Sequence, residues 1–227
     1  MALRERLVAI AAFCLCILPA PVSAQTPFEA RVMAALNFAR SDPRAYAQSL
    51  RATRRFFQRT VYSAPGSSED VITFEGVDGL DDAIAFLTRQ PPLPPVMQSG
   101  VLDRTAAALT VEQNRSGQVG HYSADGASPG DRARRTGGGD YVAEVIAYGH
   151  ADAEEAVRQL IVDDGVADRG HRGVLFSPDL RFAGVSCGPH RVYGTICVVD
   201  LATTADGRFT REIRVARADP VEERRRN

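Results

Sequence analysis

Two cysteines constrain this chain more than any other feature. Cys187 and Cys197 stand around Gly188-Pro189 and Gly194, a spacing that suits the two arms of a β-hairpin. The other two, Cys14 and Cys16, fall in a leader. Arg4 and Arg6 give it a positive start, Leu7 to Leu18 is apolar, and Val22-Ser23-Ala24 offers a small-residue cleavage site before Gln25. The apolar run is shorter than the ~20 residues that cross a bilayer. Phe13 and Leu15 stand where a lipid-anchored cysteine wants a small residue before it. Residues 1–24 therefore read as a cleaved signal peptide, and the protein as secreted or periplasmic. An oxidising compartment favours a bridge between Cys187 and Cys197, with two buried free thiols as the alternative. Closing a loop of about 11 residues stabilises by roughly 2.8 kcal/mol in the chain-entropy model. With one cysteine pair and no C-x-x-C, neither a structural zinc module nor a redox site is expected.

Upstream of the hairpin the pattern is helical. Val32, Leu36, Phe38 and Ala39 recur at helical spacing between Phe28 and Leu50, broken at Ser41-Asp42-Pro43. That break predicts one helix ending near Arg40 and a second starting at Pro43, capped by Ser41 or Asp42. Residues 51–95 fit less well, with a helix over Leu80 to Thr88 and a stiff proline cluster, Pro91-Pro92-Leu93-Pro94-Pro95. An amphipathic helix follows over Ser99 to Ser116, with Leu102, Ala106, Leu109 and Val111 near one face. Gly117 to Asp140 reads as a loop, Tyr141 to Tyr148 as a short strand, and Asp152 to Asp163 as a helix with Ala156, Val157 and Leu160 inward. Three strands are expected at the end: Phe182 to Cys187, Val192 to Ala202 and Phe209 to Val215. Helices first and a terminal antiparallel meander make the fold class α+β. The domain spans residues 25–205, and 206–227 hold the last strand and a charged tail.

Composition narrows the function. The 227 residues are 44% hydrophobic and 24% charged, enough for one well-cored domain. All 27 basic residues are arginine, yet the net charge is -1. Without a basic excess a nucleic-acid binder is not expected. No later stretch is long and apolar enough for a membrane span, and a monomer is expected.

The chemistry-bearing residues lie in the second half. His121 follows a glycine in Gly120-His121-Tyr122-Ser123-Ala124-Asp125-Gly126. His171 closes the polar run that begins Asp163-Asp164-Gly165. Between them Glu144 interrupts the apolar Val142-Ala143-Glu144-Val145-Ile146. A buried carboxylate there needs a cation, a histidine or a metal. No H-E-x-x-H spacing ties two ligands to one helix face. Gly184-Val185-Ser186-Cys187-Gly188 matches a nucleophile elbow, but a second strand, not a helix, follows it. Gly137-Gly138-Gly139 lacks the lysine of a phosphate loop. His150 and His190 read as exposed loop residues, and Asp131-Arg132 with Arg134-Arg135 as a solvated face.

Taken in order, these segments resemble one family. Asn37-Phe38-Ala39-Arg40, His121 with Asp125-Gly126, Ala143-Glu144-Val145-Ile146-Ala147-Tyr148-Gly149, and His171-Arg172 with Leu175, Ser177-Pro178-Asp179-Leu180 and Ala183-Gly184-Val185 resemble the CAP superfamily of SCP-like extracellular proteins. The resemblance covers about Phe28 to Leu201, with residues 51–95 as an insertion. It implies a three-layer α-β-α sandwich with a central antiparallel sheet and a cleft lined by two histidines and two acidic residues. Carried over, these are His121, Glu144, His171 and Asp163, with Asp164 competing for the last place. Val145 replaces the family's asparagine and Leu160 its tryptophan.

Two neutral imidazoles and two carboxylates suit a dication such as Zn2+, with Glu144 or Asp163 as candidate general base beside a bound water. Simple ion pairing that braces the cleft is the alternative. The function expected is an exported binding or interaction module for a small ligand, a lipid, or an envelope or peptide component. The rival expectation is a metal-dependent, peptidase-like hydrolase using the same cleft.

Overall fold

A computed structural model describes residues 26–63, 65–66, 70–150 and 152–209. The expected signal peptide and the strand expected after Phe209 lie outside them. The described residues form a mixed α+β fold with seven helices and two sheets.

Local chemistry sets the first helices. Thr26 and Glu29 form a reciprocal capping box that starts α1 (Pro27–Ser41), and Asp42 caps α2 (Pro43–Thr53) through the Ala45 amide. A single 3-10 turn (Arg54–Phe56) leads to three short strands not expected from the residue pattern, β1 (Phe57–Gln58), β2 (Val61–Ser63) and β3 (Asp70–Ile72), paired antiparallel in that order. Helix α3 (Val77–Arg89) then returns to the main core, where Leu80, Ala83 and Leu87 are fully buried. The proline cluster forms no helix, and its C-terminal end is clamped by the residues of the first motif. Asn37 exchanges hydrogen bonds with both the amide and carbonyl of Val96. The fully buried Arg40 donates to the carbonyls of Pro94, Leu175, Ser177 and Leu180.

After β4 (Met97–Gln98), Ser99 caps α4 (Gly100–Ser116), which ends on Gly117 in the left-handed region. Leu102, Ala106 and Leu109 face inward, but Val111 is exposed, one helical step off that stripe. The expected 117–140 loop contains a short helix, α5 (Pro129–Arg135), opened by a Ser128–Asp131 capping box. Then come β5 (Ala143–Tyr148), α6 (Ala153–Val162), α7 (Gly170–Leu175), β6 (Phe182–His190) and β7 (Gly194–Ala202).

The larger sheet has the order β4-β6-β7-β5. Its pairs are antiparallel except β4 with β6, which is parallel. Cys187 and Cys197 are register partners across β6 and β7 and are bridged, as expected. Beyond Cys187 strand β6 continues straight, so Ser186 is a strand residue and not a nucleophile elbow. Period-two alternation splits the sheet. Val145, Ala147, Val199 and Leu201 join the main core with α1, α2, α3 and α6, while Ile146, Ile196 and Val198 meet Ala106 and Leu109 of α4 on the other face. Helix α4 approaches β6 so closely that a Cβ on Gly184 would lie 2.1 Å from the Asp103 amide nitrogen. No helix among the described residues is long and apolar enough to cross a membrane.

Candidate functional site

The site lies at strand β5, the edge of the larger sheet, where the loop after α4 and the α6–α7 corner come together. Gly117 turns the chain out of α4. Gln113 then donates to the Gly120 carbonyl (2.6 Å), and the Tyr148 hydroxyl accepts from the Gly120 amide (3.0 Å) while donating to Gln113 Oε1 (2.7 Å). This closed ring of bonds fixes the residue before His121. On the other side α6 ends on Asp163 in a left-handed conformation, φ 58°. Arg172 holds that end by donating to the carbonyls of Ile161 (2.6 Å) and Val162 (2.8 Å), and so sets where α7 presents His171.

Each imidazole is anchored through Nδ1 to a buried carboxylate. His121 meets Glu144 Oε1 at 3.0 Å and His171 meets Asp163 Oδ1 at 2.6 Å. Both carboxylates are 1% exposed, while the histidines are 43% and 29% exposed. The ring centres are 6.5 Å apart. The four residues expected from the sequence thus come together as two His–carboxylate pairs. Of the two adjacent aspartates, it is Asp163 that meets a histidine. Asp164 instead accepts from the amides of Phe74 (2.6 Å) and Glu75 (2.8 Å) and ties the small sheet to this corner.

The remaining carboxylate oxygens are also engaged. Asp163 Oδ2 accepts from the Arg172 amide at 3.1 Å. Glu144 Oε2 accepts from Arg132, whose other nitrogen donates to the His121 carbonyl at 2.8 Å. Arg132 is 3% exposed, so the expected solvated face holds one buried cation. Its place in a basic helix hid it, because Arg134 and Arg135 on the same helix do face solvent, paired with Asp131, Asp140 and Asp125.

Asp200, directly opposite Glu144 in the β5–β7 register, completes the cluster. It is fully buried. Desolvation first, and the Glu144 charge second, push its carboxyl well above the ordinary range. A lone aspartate within Val198-Val199-Asp200-Leu201 was the visible signal. The Asp163 hydrogen bond, against an opposing desolvation, raises the His171 pKa.

Two other expectations fail. His190 is 2% exposed, its Nε2 bonded to the Gln118 carbonyl and its Nδ1 accepting from the Val192 and Tyr193 amides. His150 is half-buried, with Nε2 enclosed. A groove of about 680 Å³ opens beside the histidine pair, lined also by Ile72, Phe74, Tyr148, His150, Arg158 and Tyr193. Its size is typical of small-ligand sites.

The donor chemistry fits a metal only in part. Among the described residues no group of three or more His, Cys, Asp and Glu side chains is placed to hold an ion. Glu144 and Asp163 serve as orienting partners of the imidazoles, the role carboxylates take behind metal-bound histidines. Two imidazoles on one tetrahedral zinc, at Zn–N of about 2.0–2.1 Å, bring their ring centres to about 5 Å. The pair here is wider, at 6.5 Å.

No family model matches the chain, and no curated protein matches it. Among solved structures, an extracellular protein containing an SCP domain from Bacillus anthracis str. Ames is similar at 22% identity and TM-score 0.41, over 48% of this chain and 34% of that one. An outer surface protein from Borrelia burgdorferi is similar at 16% identity and TM-score 0.40, over 48% of this chain and 77% of that one. The similarity thus spans about a third of the Bacillus protein's length.

Proposed function

We propose that this chain is an exported, monomeric, CAP-like binding module, secreted or periplasmic, that takes its ligand in the groove beside His121 and His171. The fold proposed with it is the three-layer α-β-α sandwich, running over residues 25–205 with 51–95 as an insertion. One observation carries the reading. Each imidazole has Nδ1 tied to a buried carboxylate, which leaves Nε2 as its free ring nitrogen beside one groove. Such anchoring fixes tautomer and ring orientation, and that preorganisation favours binding. The ordered sequence motifs support the family reading.

A divalent ion such as Zn2+ would be held by His121 and His171, with Glu144 and Asp163 behind them. The hydrolase reading requires a carboxylate free to accept a proton from water. Each oxygen of Glu144 and Asp163 already has a partner, which supports binding over turnover.

The test is a Zn2+ titration followed on the histidine ring resonances, beside a His121→Ala/His171→Ala variant. The expected result is that both rings shift together and that uptake is lost in the variant. Unmoved rings, or equal uptake by the variant, would remove the cleft as the site of the ion. Peptide hydrolysis by zinc-loaded protein that Glu144→Gln or Asp163→Asn abolishes would replace the binding reading with the hydrolytic one.

A further inference from the structure

Strand β5 ends the larger sheet, and among the described residues no strand lies beyond it. The Gly149 amide donates to the Thr195 carbonyl at 3.0 Å, in continuation of the β5–β7 register, and this fixes which residues of β5 bond to β7. In an antiparallel ladder only alternate residues exchange main-chain bonds with the neighbouring strand. Ala147, Val145 and Ala143 therefore bond to β7, while Tyr148, Ile146 and Glu144 turn their N–H and C=O groups off the free edge. That row faces the groove. The Tyr148 amide donates to Gln159 Oε1 at 3.3 Å, and Gln159, Tyr148 and Ile146 all line the groove.

Ile146 is the open member of this row. No other group among the described residues bonds to its N–H or C=O off that edge. The residue is only 7% exposed, and buried main-chain groups are nearly always paired. Its side chain is used elsewhere, against Ala106, Leu109 and Val198 on the α4 face. Along the edge it therefore presents one donor and one acceptor at strand spacing. A hydrocarbon satisfies neither, whereas the main chain of an extended peptide satisfies both. The small sheet supplies an apolar border to the same groove through Ile72 and Phe74, 81% and 85% exposed. That border suits uncharged, β-branched side chains on the added strand.

We propose that the groove seats an extended peptide, which adds to the free edge of β5 and exchanges a pair of main-chain hydrogen bonds with Ile146. The assignment rests on the reading of the groove as a binding site and names its ligand class, but it makes no use of His121, His171 or a metal ion.

A blocked pentapeptide of alternating threonine and valine, titrated into metal-free protein beside its fully N-methylated form, tests it. The methylated form keeps the side chains and loses every main-chain donor. The parent peptide is expected to bind one to one, and the methylated form to bind about tenfold weaker or more. In the complex the Ile146 amide proton is expected to shift downfield, and further than those of Val145 and Ala147, which are already bonded to β7. Ile146→Pro removes that N–H without removing a β7 bond and is expected to lose the peptide. Should that variant fail to fold, because Ile146 packs beneath α4, the amide resonances and the methylated peptide carry the test on the native chain. No binding of the parent peptide at about 1 mM, equal affinity for the methylated form, or an Ile146 amide that moves no more than its neighbours would each overturn the assignment. The zinc titration reads the rings of His121 and His171 separately, so loss of one conclusion leaves the other standing.

Discussion

Arg132 and Glu144 meet inside the fold with side chains 3% and 1% exposed, and the same arginine holds the His121 carbonyl. One buried cation therefore neutralises the carboxylate that anchors a site histidine and also pins that histidine's backbone. Asp200, its carboxyl pushed up by burial and then by the Glu144 charge, lies opposite them in the β5–β7 register.

Breaking this pair from one side should be costly. Arg132→Met leaves Glu144 ionised and enclosed and is expected to lose roughly 3–5 kcal/mol in urea unfolding. Arg132→Met with Glu144→Leu should recover most of that loss, because no charge is then left buried. A single variant as mild as the double would contradict the account.

Asp200 gives a pH dependence of definite sign. Its folded carboxyl keeps a proton that the unfolded chain releases above its ordinary value of 3.8. Folding then binds a proton, so this group's contribution to stability falls as pH rises through that value and on toward the raised folded one. Asp200→Asn, equal in shape and never ionised, should gain on the native protein between pH 4 and pH 8. Urea midpoints at the two pH values measure this, and a gap that stays constant would refute the upward shift.

Gly184 and Gly173 should respond oppositely to alanine. At Gly184 the added carbon meets the backbone of Leu102 and Asp103 at 2.1 Å, so α4 must move off the sheet. A loss of about 3 kcal/mol or more is expected, at the upper end for overpacking. Gly173, inside α7, has nothing within 4 Å. Alanine there should stabilise by about 0.5–1 kcal/mol. Thermal unfolding of both variants tests the pair together.

Features that depend on local periodicity and chemistry could be read along the chain. The break at Asp42-Pro43, the helix before Gly117, the hairpin bridged through Cys187 and Cys197, and the α+β class were legible because caps, proline and alternating side chains act over a few residues. The histidines and Glu144 stood out as polar residues in telling surroundings. Which partner each one meets depended on how distant segments pack. Arg132 looked like one more surface arginine until α5 folded against β5. Asp163 and Asp164, adjacent and chemically identical, were divided by the left-handed turn ending α6, which sends the first to His171 and the second to the Phe74 and Glu75 amides. Burial likewise pushed the Asp200 carboxyl up, because the cost of a polar group depends on what encloses it, and chain segments far apart in sequence supply the enclosure.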